Sequence, residues 1–220
     1  MTVAGVRAGR AVGGRVLTAR GLRTRENLVS AAHRVFERTP FPDARLSDIT
    51  AEAGVAAGTF YTYFDSKEEI FREVADDVLA ELATAARRDP GNIDGDRIRD
   101  IAYASRCYFE ACLRNATVVR SMEQLAVSDK AINRSRRATV KVGIGKVERW
   151  IAHLQEEGIC DTELDPHTAA IALHTMNVRV AYDHLLLAGA DADIDGLVAA
   201  VTRVWARTVG LESPARRVRA

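Results

Sequence analysis

From Thr24 to Val209 apolar residues return every three or four positions with few breaks, and nowhere do they alternate every second position for a convincing length. A chain with that pattern buries helix stripes against other helices, so it is expected to be all-α. Leu28, Ala31, Ala32, Val35 and Phe36 share one face of a first helix, which Thr39-Pro40 ends. A short segment from Leu46 to Ala53 follows, then Gly54 as a breaker, then another from Ala56 to Phe64. Ser66-Lys67-Glu68-Glu69 reads as a capping box: the Ser66 hydroxyl accepts from the Glu69 N–H while the Glu69 side chain reaches back. It starts a long helix with Ile70, Phe71, Val74, Val78 and Leu82 inward.

Four or five further helices follow. Ile98, Ile101, Ser105, Phe109 and Cys112 mark one stripe, and Asn115 is the expected N-cap of a shorter helix carrying Val118, Val119, Met122, Leu125 and Ala126. Val140, Ile144, Val147, Ile151 and Leu154 mark a long helix closed by Gly158 at C′, its first turns weakened by Gly143 and Gly145. Asp165-Pro166, a cap followed by proline at N1, starts a helix running to Leu187. A last helix spans Asp195 to Val209 and carries Leu197, Val198, Val201, Val204, Trp205 and Thr208.

Charge is unevenly spread. Met1 to Lys67 holds ten Lys/Arg against six Asp/Glu, giving +4, while the rest holds twenty-one against twenty-four, giving −3. Six arginines (Arg7, Arg10, Arg15, Arg20, Arg23, Arg25) stand in the first 25 residues without one acid. A basic first third on a slightly acidic body points to a polyanion-binding module carried by something larger. Residues 1–22, rich in Gly and Arg and without helical period, read as a flexible basic arm. No apolar run reaches the ~18 residues a membrane span needs, and the start lacks an export-type apolar stretch. The three cysteines Cys107, Cys112 and Cys160 fit no metal or redox spacing. The expectation is a cytoplasmic protein with no cofactor and no metal.

The most informative stretch is Leu46 to Lys67, LSDITAEAGVAAGTFYTYFDSK. It reads as helix, tight turn, helix and a capped third helix. Ile49 and Ala53 face inward, Gly54 takes the positive φ of a sharp turn, Val55 fills the angle, and Phe60 and Phe64 anchor the second helix. Ala57, Thr59, Tyr61, Thr62 and Tyr63 remain outside, small or hydrogen-bonding and free of acids, so that face can lie close to a duplex. This is a helix-turn-helix arrangement.

The pattern Asp48-Ile49, Ala53-Gly54-Val55, Gly58-Thr59-Phe60-Tyr61, Tyr63-Phe64 and Ser66-Lys67-Glu68 resembles the TetR/AcrR regulators, in register without gaps over about Thr24 to Leu82. The resemblance implies a homodimeric transcription factor, most often a repressor. It implies a three-helix DNA-binding head on a larger helical body that encloses an effector cavity and dimerises through its last two helices. Ligand binding in such proteins shifts the spacing of the two heads. Carried over by position, Ala57, Thr59 and Thr62 approach base edges, Tyr61, Tyr63 and Lys67 hold phosphates, and Ser47 touches a base or a phosphate. Arg45 stands where the family often has Thr or Ser; it reaches a phosphate itself, with Asp43 or Ser47 as the cap instead. The expected domains are the arm 1–22, the DNA-binding head 23–67, an effector-binding and dimerisation domain 68–212, and a tail 213–220.

Within the body, the helix from Pro166 is apolar on two sides and needs two neighbours, its own core and a partner subunit. With the last helix it suits a dimer interface through Val178, Leu185, Val201 and Trp205. Polar residues within the helices are ligand candidates: Tyr103, Cys107, His174, Asn177 and Tyr182, with Met122 as an adaptable wall. The expected partners are double-stranded DNA, a second copy of the chain and a small, largely apolar effector. No histidine sits in a catalytic or metal motif, and His174 and His184 lie ~15 Å apart along one helix, so an enzyme is not expected. The alternative is a helical small-molecule-binding or scaffold protein without operator binding, which leaves the acid-free face unexplained.

Overall fold

The computed structural model describes residues 17–87, 90–92, 94–187 and 193–211. The helices are α1 (Ala19–Arg38), α2 (Leu46–Glu52), α3 (Ala57–Phe60), α4 (Lys67–Ala85), α5 (Arg97–Arg114), α6 (Ala116–Leu125), α7 (Lys130–Glu156), α8 (Pro166–Val180) and α9 (Ile194–Thr208). A π turn over Ala181–Leu186 continues α8. The described residues contain no strand, and none of their helices is long and apolar enough to cross a membrane. The chain divides into two compact units, Met1–Asp76 and Asp77–Ala220.

The smaller unit is built on phenylalanine. Five of the chain's six (Phe36, Phe41, Phe60, Phe64 and Phe71) are buried in it. Phe36 and Phe71 meet edge to face at 5.1 Å, and Phe41 completes a triangle at 6.0 Å and 4.9 Å. Truncating one such ring to alanine costs about 3–5 kcal/mol, so this cluster outweighs the exposed ion pairs around it. Because Ile70, Phe71 and Val74 belong to this core, the units divide inside α4 at Asp76 and not at Lys67, where the expected boundary stood.

The first helix starts at Ala19, earlier than the expected Thr24. Thr18 caps it, its Oγ1 accepting from Gly21 N at 3.2 Å. Residues 19–22 of the expected flexible arm are therefore helical, and Arg20, Arg23 and Arg25 ride on α1. The arm's Arg7, Arg10 and Arg15, and the tail 213–220, lie outside the described residues. Arg25 is a core group: its guanidinium lies 4.8 Å over the Phe64 ring and pairs at 3.0 Å with Glu73, both side chains nearly buried.

The segment expected as a helix over 56–64 is helical only to Phe60. It then tightens into a turn, with Thr62 N donating to Thr59 O (3.2 Å) and Tyr63 N to Phe60 O (2.9 Å). That tightening brings Phe60 and Phe64 into one core with their rings 5.7 Å apart. At the start of α4, Glu69 N donates to Ser66 Oγ as the capping box requires, but the Glu69 carboxylate accepts from Asp65 N (2.7 Å), one residue further back.

In the larger unit Asp96, Asp129, Asp165 and Asp193 each cap a helix with a carboxylate oxygen, favoured at the positive end of the helix dipole. Asn115 stands at the cap of α6 but does not cap it; its amide donates to Glu81 (3.0 Å) and to Ala111 O (3.0 Å). Gly143 and Gly145 do not break α7, which starts at Lys130. Gly158 has φ +67° at its C′ position, as expected.

Glu73→Ala strands the buried Arg25 guanidinium and is expected to cost about 3–5 kcal/mol, read by urea unfolding under far-UV circular dichroism. Arg34→Ala, at the exposed face of the same unit, is expected to cost far less by the same measurement.

Candidate nucleic-acid interface and effector cavity

Local hydrogen bonds set the angle between α2 and α3. Gly54, at φ +66°, reverses the chain; Gly54 N donates to Ala51 O (3.1 Å) and Val55 N to Thr50 O (3.0 Å). Asn27 of α1 donates to Ala53 O at 2.8 Å, closing the C-terminus of α2. Arg34 and Arg38 of α1 bond Glu52 at 2.6 Å and 2.9 Å, and the Arg34 hydrogen bond, then that of Arg38, holds the Glu52 carboxyl below its ordinary range. At the other end Arg45 is the N-cap residue. Its N–H donates to Asp48 Oδ2 (3.1 Å), so Asp48, rather than Asp43 or Ser47, completes the cap.

The outer surface of this element consists of Arg45, Ser47, Ala57, Tyr61 and Thr62, all exposed, with Thr59 and Tyr63 half-buried beside them. Tyr61 is 61% exposed and stands edge-on to Phe60, which keeps the phenol projecting. From Ala53 to Phe64 there is no acid. Hydroxyl-bearing, free of acids among these residues and carrying the Arg45 cation, this surface can approach base edges and phosphate oxygens without repulsion.

Lys67 departs from its expected role. Its ammonium donates to Phe41 O (2.7 Å), Pro42 O (3.4 Å) and Ala44 O (2.8 Å), and lies 4.4 Å over the Phe41 ring. A lysine has three N–H donors, and here all three are directed at backbone. The residue ties the α1–α2 turn to the start of α4, leaving no donor for a phosphate.

The larger unit holds a cavity of about 640 Å³, lined from α4 to α9. Of the expected ligand residues, Met122, His174, Asn177 and Tyr182 line it. Tyr103 and Cys107 do not; they lie beside the Arg87 guanidinium and, Tyr103 first, raise its proton affinity. In their place α5 presents Tyr108 and Cys112. The stripe itself carried this signal: relative to Ile101, Tyr108 and Cys112 lie within about 20° around the helix, whereas Tyr103 and Cys107 are turned away by about 160° and 120°. Burial pushes the Cys112 thiol up to about 12 and Tyr108 well above its ordinary value, so both stay un-ionised and neither serves as a nucleophile. Burial also lowers the proton affinity of His174.

The expected dimer residues are interior ones. Leu185 (1% exposed), Val201 (3%) and Trp205 (8%) are buried within their own unit, and Val178 lines the cavity. Trp205 donates its indole N–H to Asn177 Oδ1 at 3.0 Å, and its ring lies 6.1 Å from that of Trp150, tilted by 58°. The apolar groups that α8 and α9 leave exposed are Ile171 and Val204. No group of three or more His, Cys, Asp or Glu among the described residues is placed to hold a metal ion.

Residues 28–74 match the sequence profile of bacterial regulatory proteins, tetR family. The chain is 39% identical over 61 residues to the uncharacterised HTH-type transcriptional regulator YdgC of Bacillus subtilis, a match spanning 28% of this chain and 31% of that protein. It is 24% identical over 163 residues to the HTH-type transcriptional regulator EthR of Mycobacterium tuberculosis, across 70% of this chain and 72% of EthR. In fold it is similar to the fatty acid degradation regulator FadR of Bacillus halodurans (TM-score 0.66, 20% identity, 83% of this chain and 94% of that one). It is likewise similar to NalD, the secondary repressor of the MexAB-OprM multidrug efflux pump in Pseudomonas aeruginosa (TM-score 0.62, 19% identity, 86% and 98%).

Lys67→Met keeps the aliphatic stem and removes the three donors. The expected result is a lower melting temperature, with the slope of log affinity for DNA against log salt unchanged. A phosphate contact would instead reduce that slope by about one.

Proposed function

We infer that this chain, which belongs to the tetR family of bacterial regulatory proteins and is a DNA-binding transcriptional regulator, works as a ligand-responsive repressor. In this reading two copies bind a pseudo-palindromic operator, each placing α3 in a major groove. Half-sites then lie about one helical turn, ~34 Å, apart. The observation that carries it is the acid-free surface of Ala57, Thr59, Tyr61 and Thr62, presented by a turn held by the hydrogen bonds from Gly54 N to Ala51 O and from Val55 N to Thr50 O.

Ala57, Thr59 and Thr62 approach base edges; Tyr61, Tyr63, Ser47 and Arg45 hold the register on sugar and phosphate. The copies pair through the outward side of α8 and α9, around Ile171 and Val204, with the buried Leu185, Val201 and Trp205 supporting that side from within. An effector in the larger unit's cavity changes the spacing of the two heads and releases the operator. NalD, similar in fold, is a repressor, which supports the sign of regulation.

The purified protein, incubated with genomic fragments at ~0.15 M salt, is expected to enrich a short inverted repeat; enrichment of no sequence overturns the reading. Thr62→Ala is expected to relax preference at one base position, and Tyr61→Phe to weaken all sequences alike by about 0.5–1.5 kcal/mol. Val204→Asp combined with Ile171→Asp is expected to sediment as a monomer and to lose the inverted repeat.

A further inference from the structure

We propose that the cavity takes an elongated, non-cationic, mostly hydrocarbon ligand whose one hydrogen-bonding group, near mid-length, is held by the His174 imidazole in a seat made by Gly143. The proposal rests on the ligand-responsive reading above and names the class of ligand.

Shape comes first. The wall on α5 runs from Asp100 to Cys112 and that on α7 from Arg136 to Trp150, about 18 Å and 21 Å at 1.5 Å per residue. A volume of about 640 Å³ spread over ~20 Å leaves a mean cross-section of about 30 Å², enough to admit an extended hydrocarbon chain. The Trp150–Trp205 pair stands at one end of the α7 wall and the Arg136–Glu123 ion pair at the other.

Charge is the second constraint. Both acids on the wall are already engaged: Glu123 is bonded to Arg136, and Asp100 also has a partner. Arg179 is paired with Asp183, but Lys146 donates only to the neutral Ala83 O, at 2.6 Å, and Arg87 lies beside Tyr103 and Cys107. A cationic ligand would therefore enter without a counter-charge and against the Lys146 and Arg87 cations, which is costly.

The polar group follows from Gly143, which lies midway between Arg136 and Trp150 on α7. A Cβ at this position would collide with the His174 ring, 2.6 Å from Nε2. Only glycine lets the imidazole of α8 press against the α7 backbone. No described residue hydrogen-bonds that ring, although it lines the cavity and its nitrogens are not sealed off. A neutral imidazole, favoured by burial, offers one donor and one acceptor. It therefore suits a hydroxyl, ketone or amide.

The chain's two tryptophans, Trp150 and Trp205, both line the cavity, so tryptophan emission of the full chain reports occupancy without DNA. The probes are undecan-6-ol, undecane, undecylammonium and the compact 2-naphthol. Undecan-6-ol is expected to bind saturably and about tenfold or more tighter than each of the other three. His174→Leu is expected to abolish its preference over undecane, His174→Gln to retain part of it, and Gly143→Ala to reduce it, with far-UV circular dichroism confirming the helical fold of each. Equal or tighter binding of the cation, or an intact preference in His174→Leu, overturns the proposal; so does absence of binding by protein that still selects its operator. Should a variant fail to fold, the ranking of probes on the unaltered chain decides. Operator release is measured separately with the same probes: binding without release refutes the ligand-responsive reading and leaves the ligand class standing.

Discussion

Three carbonyls of the α1–α2 turn converge on the ammonium of Lys67, and the acid-free surface around α3 depends on that convergence. Phe41, one of the three acceptors, also lays its ring under the same ammonium and against Phe36 and Phe71. Polar and apolar contacts therefore fix the same turn from two sides. From it follow the entry angle of α2, the ion pairs of Glu52 with Arg34 and Arg38, and the positive-φ reversal at Gly54. The surface around Tyr61 makes few contacts of its own; it stays in place because everything beneath it is held. Surface ion pairs add little, so the aromatic cluster supplies most of the stability and the lysine supplies the geometry.

The larger unit solves the opposite problem, keeping space open. A dry void of about 640 Å³, at about 24 cal/mol per Å³, would cost about 15 kcal/mol, as much as the whole net stability of a domain. Space on that scale is therefore occupied, by water past Thr175 and Arg179, which line it while exposed, or by a ligand. Small residues hold it open: Ala83, Ala104, Gly143 and Ala181 face it where larger side chains would fill it. The π turn that continues α8 brings Ala181, Tyr182 and Leu186 to the wall together, and Arg120 braces it by donating to Leu186 O at 2.8 Å. Such turns widen a helix locally and recur at functional sites.

The helices and the Asp165 cap were legible in the residues, because an apolar stripe and a capping carboxylate act within a few positions of each other. The caps Asp96, Asp129 and Asp193 went unread, and the amide of Asn115, read as a cap, bonds Glu81 and Ala111 O instead. The start of α1 was obscured by glycines and arginines, and its Thr18 cap is a single hydroxyl without the partner acid of a full box. Arg25 looked like one more cation of a basic arm; its burial against Phe64 and Glu73 depends on residues some 40 and 48 positions away, beyond any local pattern. Tyr103 and Cys107 were misplaced although the α5 stripe already distinguished their side from that of Tyr108 and Cys112. Leu185, Val201 and Trp205 lay on apolar faces, but apolarity alone does not tell a residue packed within its own unit from one reserved for a partner.

Sequence alone determined that the chain is helical, that it turns at Gly54 between two short helices, and that the surface so formed carries hydroxyls and no acid. Each of these is a property of residues within one or two turns of one another. Only the tertiary structure decided where the lysine donors of residue 67 go, which side of α5 meets the cavity, and why a glycine sits in the middle of α7. Those outcomes depend on packing between distant segments, where one imidazole or one backbone carbonyl takes the place that another group could have filled.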